Sequence, residues 1–327
     1  MSNFCATAIA HPNIAFIKYW GNKDEFLRIP LNSSLSMNLD TLFTRTQVEF
    51  DPRIHSDSLI INREQCYGPS FDRLSKFLDI LREKSKKEIY AKVISENNFP
   101  TAAGIASSAS AFAALTLAAV NALGLDLSEK ELSQLARRGS GSASRSIPEG
   151  FVEWQAGNND QDSFSFSIAP PSHWDLVDCI TIVQSIPKRV SSTEGHRLAN
   201  TSILQEIRVK DSNRRLEICK KAIINKDFEK FAQIIELDSN LMHAVMMTSQ
   251  PPLFYWEPIS LEIMCAVTDW RSQGIPVCYT IDAGPNIHVI CTSGLAEKIK
   301  LDLLKIDGVI DVLLSGVGSG AQLVPNK

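Results

Sequence analysis

Residues 100–109, PTAAGIASSA, decide how this chain is read. They follow a β-like run at 90–96 and open a segment, 105–122, that carries no charge. Small residues let a backbone approach a phosphate chain closely, and free N–H groups at a helix N-terminus attract anions through aligned peptide dipoles. The stretch is therefore a phosphate loop in mechanism. It is not a Walker A motif, since no Gly-Lys-Ser/Thr follows, nor a dinucleotide fingerprint, since GxGxxG is missing. Close helix packing is the other reading that small residues allow here.

The uncharged segment is near the length that spans a bilayer. Ser107, Ser108, Ser110, Thr116 and Asn121 leave it poor in strongly apolar side chains, so a buried helix is expected. Upstream, short β-like runs at 6–10, 14–19, 44–50, 58–62 and 90–96 alternate with turns around an amphipathic helix at 71–84. Downstream, Ser128 is the expected N-cap of a second helix, with Glu131 as its capping-box partner. Further strands are expected at 151–154, 179–184, 277–281, 288–291 and 309–314, and helices at 195–205, 213–225, 227–241, 259–273 and 295–305. This is an α+β chain, and a shift near Pro187 divides it into lobes at 1–187 and 188–327, the second richer in helix.

Composition narrows the class. With 327 residues, 44% of them hydrophobic, the chain buries a sizeable core. A net charge of −4 offers no global basic field for nucleic acid or an anionic membrane, so an anionic small molecule must be held by locally placed cations. The charged run REKSKKE at 82–88 reads as a solvated helix end. Seven widely spaced cysteines, with no CxxC pair, read as reduced and mostly buried thiols of a cytoplasmic protein. The first residues, MSNFCATAIAHPN, lack the basic and apolar regions of a secretory signal. The six histidines show no short metal spacing, and there is no GxSxG elbow.

Three further segments carry chemistry. Lys18 closes the apolar run 14–17, where a lysine is costly without an anionic partner; phosphate, carboxylate, a structural ion pair or an escape to water all answer that cost. Residues 137–146, RRGSGSASRS, gather four hydroxyls and three guanidinium groups. Arg145 can grip a carboxylate or phosphate with two parallel hydrogen bonds, and Ser140 and Ser142 can complete a cradle; a flexible serine-rich loop is the plainer alternative. Asp282 stands at the end of a strand before Ala-Gly-Pro, where a carboxylate is well held yet reachable, although a turn-forming Asp is also common there.

In order along the chain, NIAFIKYWG (13–21), PTAAGIASSAS (100–110), RRGSGSASRSI (137–147) followed by GFVEW (150–154), VSSTEG (190–195) and DAGPN (282–286) resemble the successive motifs of the diphosphomevalonate decarboxylase family. The resemblance implies the two-lobed fold shared by galactokinase, homoserine kinase, mevalonate kinase and phosphomevalonate kinase, with an N-terminal lobe like the second domain of the fifth small-subunit ribosomal protein. It also implies a cytoplasmic homodimer. ATP would phosphorylate the tertiary 3-hydroxyl of a phosphorylated mevalonate, and loss of that phosphate would accompany decarboxylation to an alkene.

Each motif then has an implied role. Pro100, Thr101, Ala102, Ala103, Gly104, Ile105, Ala106, Ser107 and Ser108 would hold the ATP phosphates, with Ser107 helping to place Mg²⁺ and Ser95 near the nucleoside. Asp282 would orient or deprotonate the 3-hydroxyl, Lys18 would stabilise charge beside it, and Arg145 would hold the substrate carboxylate. Tyr19, Trp20, Gly21, Asn22 and Arg73 would line the substrate from one side. Ser140, Gly141, Ser142, Ala143 and Ser144, with Ser191, Ser192, Thr193 and His196, would line the rest.

Two positions depart from the family pattern. Its usual KYWGK reads Lys18-Tyr-Trp-Gly-Asn22 here, and its frequent SSTEGM ends in His196. A missing fixed cation weakens a diphosphate more than a monophosphate, by about 1 to 3 kcal/mol for one charge-assisted hydrogen bond. Mevalonate 5-phosphate is therefore the expected substrate. The alternative is mevalonate 5-diphosphate, with Lys23 supplying the charge; a kinase that does not decarboxylate and an inactive binding relative are less favoured, since both Arg145 and Asp282 stand in intact motifs.

Overall fold

The computed structural model describes residues 4–99, 107–183 and 190–325. The first unit contributes strands β1 (Cys5–Ala10), β2 (Asn13–Ile17), β3 (Asn22–Asp24), β4 (Ile29–Pro30), β5 (Ser34–Asn38), β6 (Thr44–Asp51), β7 (Ser58–Ile61), β8 (Glu64–Gln65), β9 (Tyr90–Asn97), β10 (Phe151–Gln155) and β11 (Phe164–Ala169), with helices α1 (Pro69–Ser85), α2 (Ser107–Ala122) and α3 (Glu129–Gly139). The second contributes β12 (Leu176–Ile182), α4 (Ser192–Leu198), α5 (Gln205–Asn225), α6 (Phe228–Met247), α7 (Pro258–Ser272), β13 (Val277–Ile281), β14 (Ile287–Thr292), α8 (Ala296–Leu303), β15 (Asp311–Gly316) and β16 (Gln322–Val324).

Three larger sheets and a two-stranded one, β3-β4, organise these elements. A six-stranded sheet runs β16-β1-β6-β9-β7-β8, a four-stranded sheet runs β11-β10-β5-β2, and a second four-stranded sheet runs β13-β14-β12-β15. In β6 the period-2 alternation buries Thr44, Thr46, Val48 and Phe50 and leaves Arg45 and Glu49 outside. That buried face meets α2 and α1, whose Leu74, Phe77, Leu78 and Leu81 recur at helical spacing. The expected buried helix of 105–122 is α2, hidden on nearly every side, and its alanines bring it close to Ala6, Ala8 and Ala10 of β1. Among the described residues no helix is long and apolar enough to cross a membrane. The expected capping box stands at the start of α3, where the Ser128 hydroxyl accepts from Glu131 N–H and the Glu131 carboxylate accepts from Ser128 N–H.

A second core joins the two units. Phe16 and Leu35 pack with Ile180, Ile290 and Phe231, and the Phe16 and Phe231 rings meet edge to face at 4.8 Å. Burying each such side chain contributes about 1.5 to 3 kcal/mol, so this shared core holds the units as one body. The expected boundary at 187 and 188 lies outside the described residues. Ahead of it, β12 already pairs with β14 and β15, so we propose that the chain passes from one unit to the other between β11 and β12.

Two expectations change. The strand foreseen at 14–19 ends at Ile17, because the peptide groups of Lys18 find partners outside any sheet. The helix foreseen at 195–205 breaks after Leu198: the Thr201 hydroxyl donates to the Leu198 carbonyl, and the Ser202 hydroxyl accepts from Leu204 N–H, so side chains take over the helical backbone bonds. The long helix begins only at Gln205.

Candidate active site

Lys18 follows β2, Asp282 follows β13, and their side chains meet at 2.6 Å between Nζ and Oδ1. Lys18 is 1% exposed and Asp282 27%, so the pair has a dry side and an open side. Burial pulls the Lys18 ammonium below its ordinary pKa, against the raising effect of Asp282. Burial pushes Asp282 up, but the positive charge of Lys18, with a smaller share from Arg145, holds its carboxyl below the usual range. Asp282 is thus an ionised acceptor at neutral pH.

Arg145 reaches the same place from the 3-10 turn Gly141–Ser146. Its partners are neutral: Nε donates to Asn13 Oδ1 at 3.2 Å and to Ser36 Oγ at 3.1 Å, and Nη1 to Ser34 Oγ at 2.6 Å. Burial pulls it down to about 10, with Asp282 acting in the opposite sense. A buried cation whose hydrogen-bond partners among the described residues are an amide and two hydroxyls is poised for an anion, since none of those three carries a charge.

The expected substrate loops converge around Tyr19. Its ring lies 4.1 Å from that of His196 and 4.7 Å from that of Trp154, and its hydroxyl donates to Asn22 Oδ1. Asn22 Nδ2 donates to Glu25 Oε2 at 3.0 Å, and Gly21 N–H donates to His196 Nδ1 at 2.9 Å. Gly21 has φ +93°, and a Cβ there would fall 2.6 Å from Gln205 Nε2, so only glycine fits. Arg73 reaches the Gly139 carbonyl at 2.9 Å and is pulled down to about 10 by burial and by the nearby charge of Arg28. Lys23 instead donates to Asn158 Oδ1 at 3.1 Å from an exposed position.

The phosphate-loop helix and the serine loop touch where Ser108 Oγ and Ser140 Oγ stand 3.1 Å apart. Ser107 is the first residue of α2. Pro100, Thr101, Ala102, Ala103, Gly104, Ile105 and Ala106 lie outside the described residues. Ser95 sits on β9 with its hydroxyl 3.0 Å from that of Thr46, on the sheet face that carries α2. Ser191 caps α4 by accepting from Glu194 N–H, and Ser192 and Thr193 form the first turn of that helix. Trp20 packs with Met242, Met246 and Leu253, Ala143 lies in the core beneath α2, and the Ser144 hydroxyl accepts from Ser165; these three side chains are fully enclosed. Ser142 contributes its carbonyl to Asn13 Nδ2 at 3.1 Å.

Several site residues were absent from the sequence reading. Ser34 and Ser36 lie on β5, whose alternation Ser-Leu-Ser-Met-Asn was the available period-2 signal. Asn13 opens the motif at 13–21 but had no role assigned to it, and Asn32, Arg208, Arg215, Asp238 and His243 have no local signature: each is a polar residue on an otherwise buried face. Behind the open pair, His288 Nδ1 and Asp178 Oδ2 stand 2.6 Å apart, with burial raising the Asp178 carboxyl.

Comparison with known proteins gives the family and the fold. The sequence model of the diphosphomevalonate decarboxylase-like N-terminal domain matches residues 10–165, and that of the mevalonate 5-diphosphate decarboxylase C-terminal domain matches residues 179–306. Diphosphomevalonate decarboxylase of Saccharomyces cerevisiae is 38% identical over 333 residues, covering 95% of this chain and 83% of its own. The mevalonate diphosphate decarboxylase from Enterococcus faecalis superposes with a TM-score of 0.92 at 38% identity, over 98% of this chain and 99% of that one. A structure of MDDEF in complex with MVAPP, AMPPCP and magnesium gives a TM-score of 0.93 at 38% identity, with the same coverage of 98% and 99%. The fold is that of the two-lobed small-molecule kinases. This chain belongs to the diphosphomevalonate decarboxylase family, whose members are ATP-dependent decarboxylases. The names of these relatives favour mevalonate 5-diphosphate, the alternative substrate, over the expected mevalonate 5-phosphate.

Proposed function

We propose that this protein uses ATP to phosphorylate and decarboxylate a 5-phosphorylated mevalonate, and the observation that carries the reading is the 2.6 Å Lys18–Asp282 pair beside the buried Arg145. The ionised Asp282 accepts the hydrogen bond of the 3-hydroxyl and takes its proton as the oxygen attacks the γ-phosphorus of ATP, and the bridging P–O bond breaks to release ADP with the bonding pair. Lys18 compensates the charge that develops there. Arg145 holds the substrate carboxylate. When the C3–O bond of that phosphorylated oxygen breaks, phosphate leaves with the bonding pair, and the electrons of the carboxylate C–C bond form the alkene as CO₂ departs.

The family implies magnesium. Among the described residues no group of three acidic, histidine or cysteine side chains could hold a metal, which fits an ion carried mainly by nucleotide phosphates, with the Ser107 hydroxyl at the start of α2 as the protein donor. The ion would neutralise phosphate charge. Ser108 and residues 100–106 belong with the triphosphate in this reading, and Ser95 with the nucleoside. Tyr19, Gly21, Arg73, Ser140, Gly141, Ser142, Ser191, Ser192, Thr193 and His196 face the substrate, whereas Trp20, Ala143 and Ser144 serve it through packing. A cytoplasmic homodimer is part of the proposal on the family resemblance alone.

For the outer phosphate, the Asn22 cluster supports mevalonate 5-phosphate. Asn22 is neutral, its amide is engaged by the Glu25 carboxylate, and Lys23 turns to Asn158. The names of the relatives support the second reading, mevalonate 5-diphosphate. Measuring kcat/KM for ADP and CO₂ release with each (R)-substrate decides: a preference for the diphosphate would sink the first reading, and no CO₂ from either would sink the proposed reaction.

A further inference from the structure

Lys18 and Asp282 are separated by 264 residues, yet the backbones that carry them end on one helix. The Lys18 N–H donates to Asp238 Oδ2 at 2.7 Å. Its carbonyl accepts from Arg208 Nη2 at 2.8 Å and from Asn32 Nδ2 at 3.0 Å. Arg215 ties these together, donating through Nε to Asp238 Oδ1 at 2.6 Å and through Nη2 to the Arg208 carbonyl at 2.9 Å. The next residue on α6, Ser239, grips Ile281, immediately before Asp282: its hydroxyl accepts from Ile281 N–H at 3.0 Å and donates to the Ile281 carbonyl at 3.3 Å. One turn further, His243 Nε2 reaches the same carbonyl at 3.2 Å.

Asp238, Ser239 and Arg215 are wholly buried, so none of them can touch a ligand. Buried ion pairs are weak evidence for stability, because desolvation offsets most of their attraction. These converge on the peptide groups of Lys18, which lies outside the sheets and has no ladder to hold it.

We infer that Asp238, held by Arg215, and its neighbour Ser239 are positioning residues for the reaction, fixing the backbones of Lys18 and Ile281 against each other so that the Lys18 amine meets Asp282 in one geometry. The inference rests on the reading of Lys18 and Asp282 as the reacting pair. Neither residue is a catalytic residue; both act through the pair.

A double-mutant cycle tests it, run with ATP and each of the two phosphorylated mevalonates. Asp238→Asn retains one acceptor where two are needed, and kcat is expected to fall about ten- to a hundredfold, the usual consequence of an ångström of misplacement. KM for both substrates should change less than about threefold. In a Lys18→Ala background the same substitution should cost less than about twofold, because the group it places is gone. Equal losses in both backgrounds would mark a merely structural role and overturn the inference. If Asp238→Asn does not fold, by circular dichroism and gel filtration, Ser239→Ala enters the same cycle against Asp282→Asn with the same expectations. A Lys18→Ala variant within about threefold of wild-type kcat overturns the reading of the pair itself, a result distinct from equal losses on an impaired background.

Discussion

Gly141 faces the ring of Tyr19 so closely that a Cβ on it would fall 2.5 Å from the ring carbon Cε1. Tyr19 is held between Trp154 and His196, so it has little room to retreat. Gly141→Ala should displace the ring, break the Tyr19–Asn22 hydrogen bond and lower kcat/KM about tenfold, with overpacking costing about 1 to 3 kcal/mol of stability. Unchanged kinetics and melting temperature would show that Tyr19 moves freely.

Asp282→Asn keeps the shape of the side chain and removes the proton acceptor. The expected loss is about 10²- to 10⁴-fold in kcat, the usual worth of a positioned base, with ATP and substrate still bound in equilibrium dialysis. More than about a tenth of wild-type kcat would reduce Asp282 to a turn residue.

Arg145→Lys preserves charge but not shape. One ammonium cannot serve Ser34, Ser36 and Asn13 while presenting a fork to a carboxylate, so kcat/KM should fall at least about a hundredfold. Near-normal kinetics would place the substrate carboxylate elsewhere.

Asn22→Lys puts a cation beside Glu25 and the Tyr19 hydroxyl. The ratio of kcat/KM for the diphosphate over the monophosphate should rise about 5- to 150-fold, equivalent to about 1 to 3 kcal/mol for one charge-assisted hydrogen bond. Effects on KM for ATP should be small. An unchanged ratio would move the origin of selectivity to His196 and its neighbours.

His243 makes stability depend on pH. Its Nε2 donates to the Ile281 carbonyl, its ring stacks on Trp256, and burial pulls its pKa down to about 3. The unfolded chain takes up that proton near pH 6.5, so between there and pH 3 the unfolded state binds more protons and stability falls as pH falls. From pH 7 to pH 5 this amounts to about 2 kcal/mol. Urea unfolding at both values should show His243→Gln losing less than wild type by about that margin.

How far the sequence reached depended on where polar residues point. Lys18, Arg145 and Asp282 were legible as candidates because each stands in a short motif that resembles the family's, although their own segments left an ion pair, a flexible loop and a turn open. The early part of α5 was not, because Arg208, Ser212 and Arg215 occupy the face that helical periodicity would reserve for apolar side chains. The same concealment hid Asp238 on α6. Strand β5 went unseen despite its alternation, since one of its faces is built from serines that serve Arg145 rather than water.

Strand β16 of the second unit pairs with β1, as Thr7 faces Val324 and Ile9 faces Gln322, although every other element intervenes between them. The first sheet is therefore completed last during synthesis. On a translating ribosome β1 waits with one edge open until β16 emerges, and an open edge recruits foreign strands. A gene cut between β11 and β12 would yield a first fragment with that edge exposed, prone to aggregate alone and rescued by co-expression of the second.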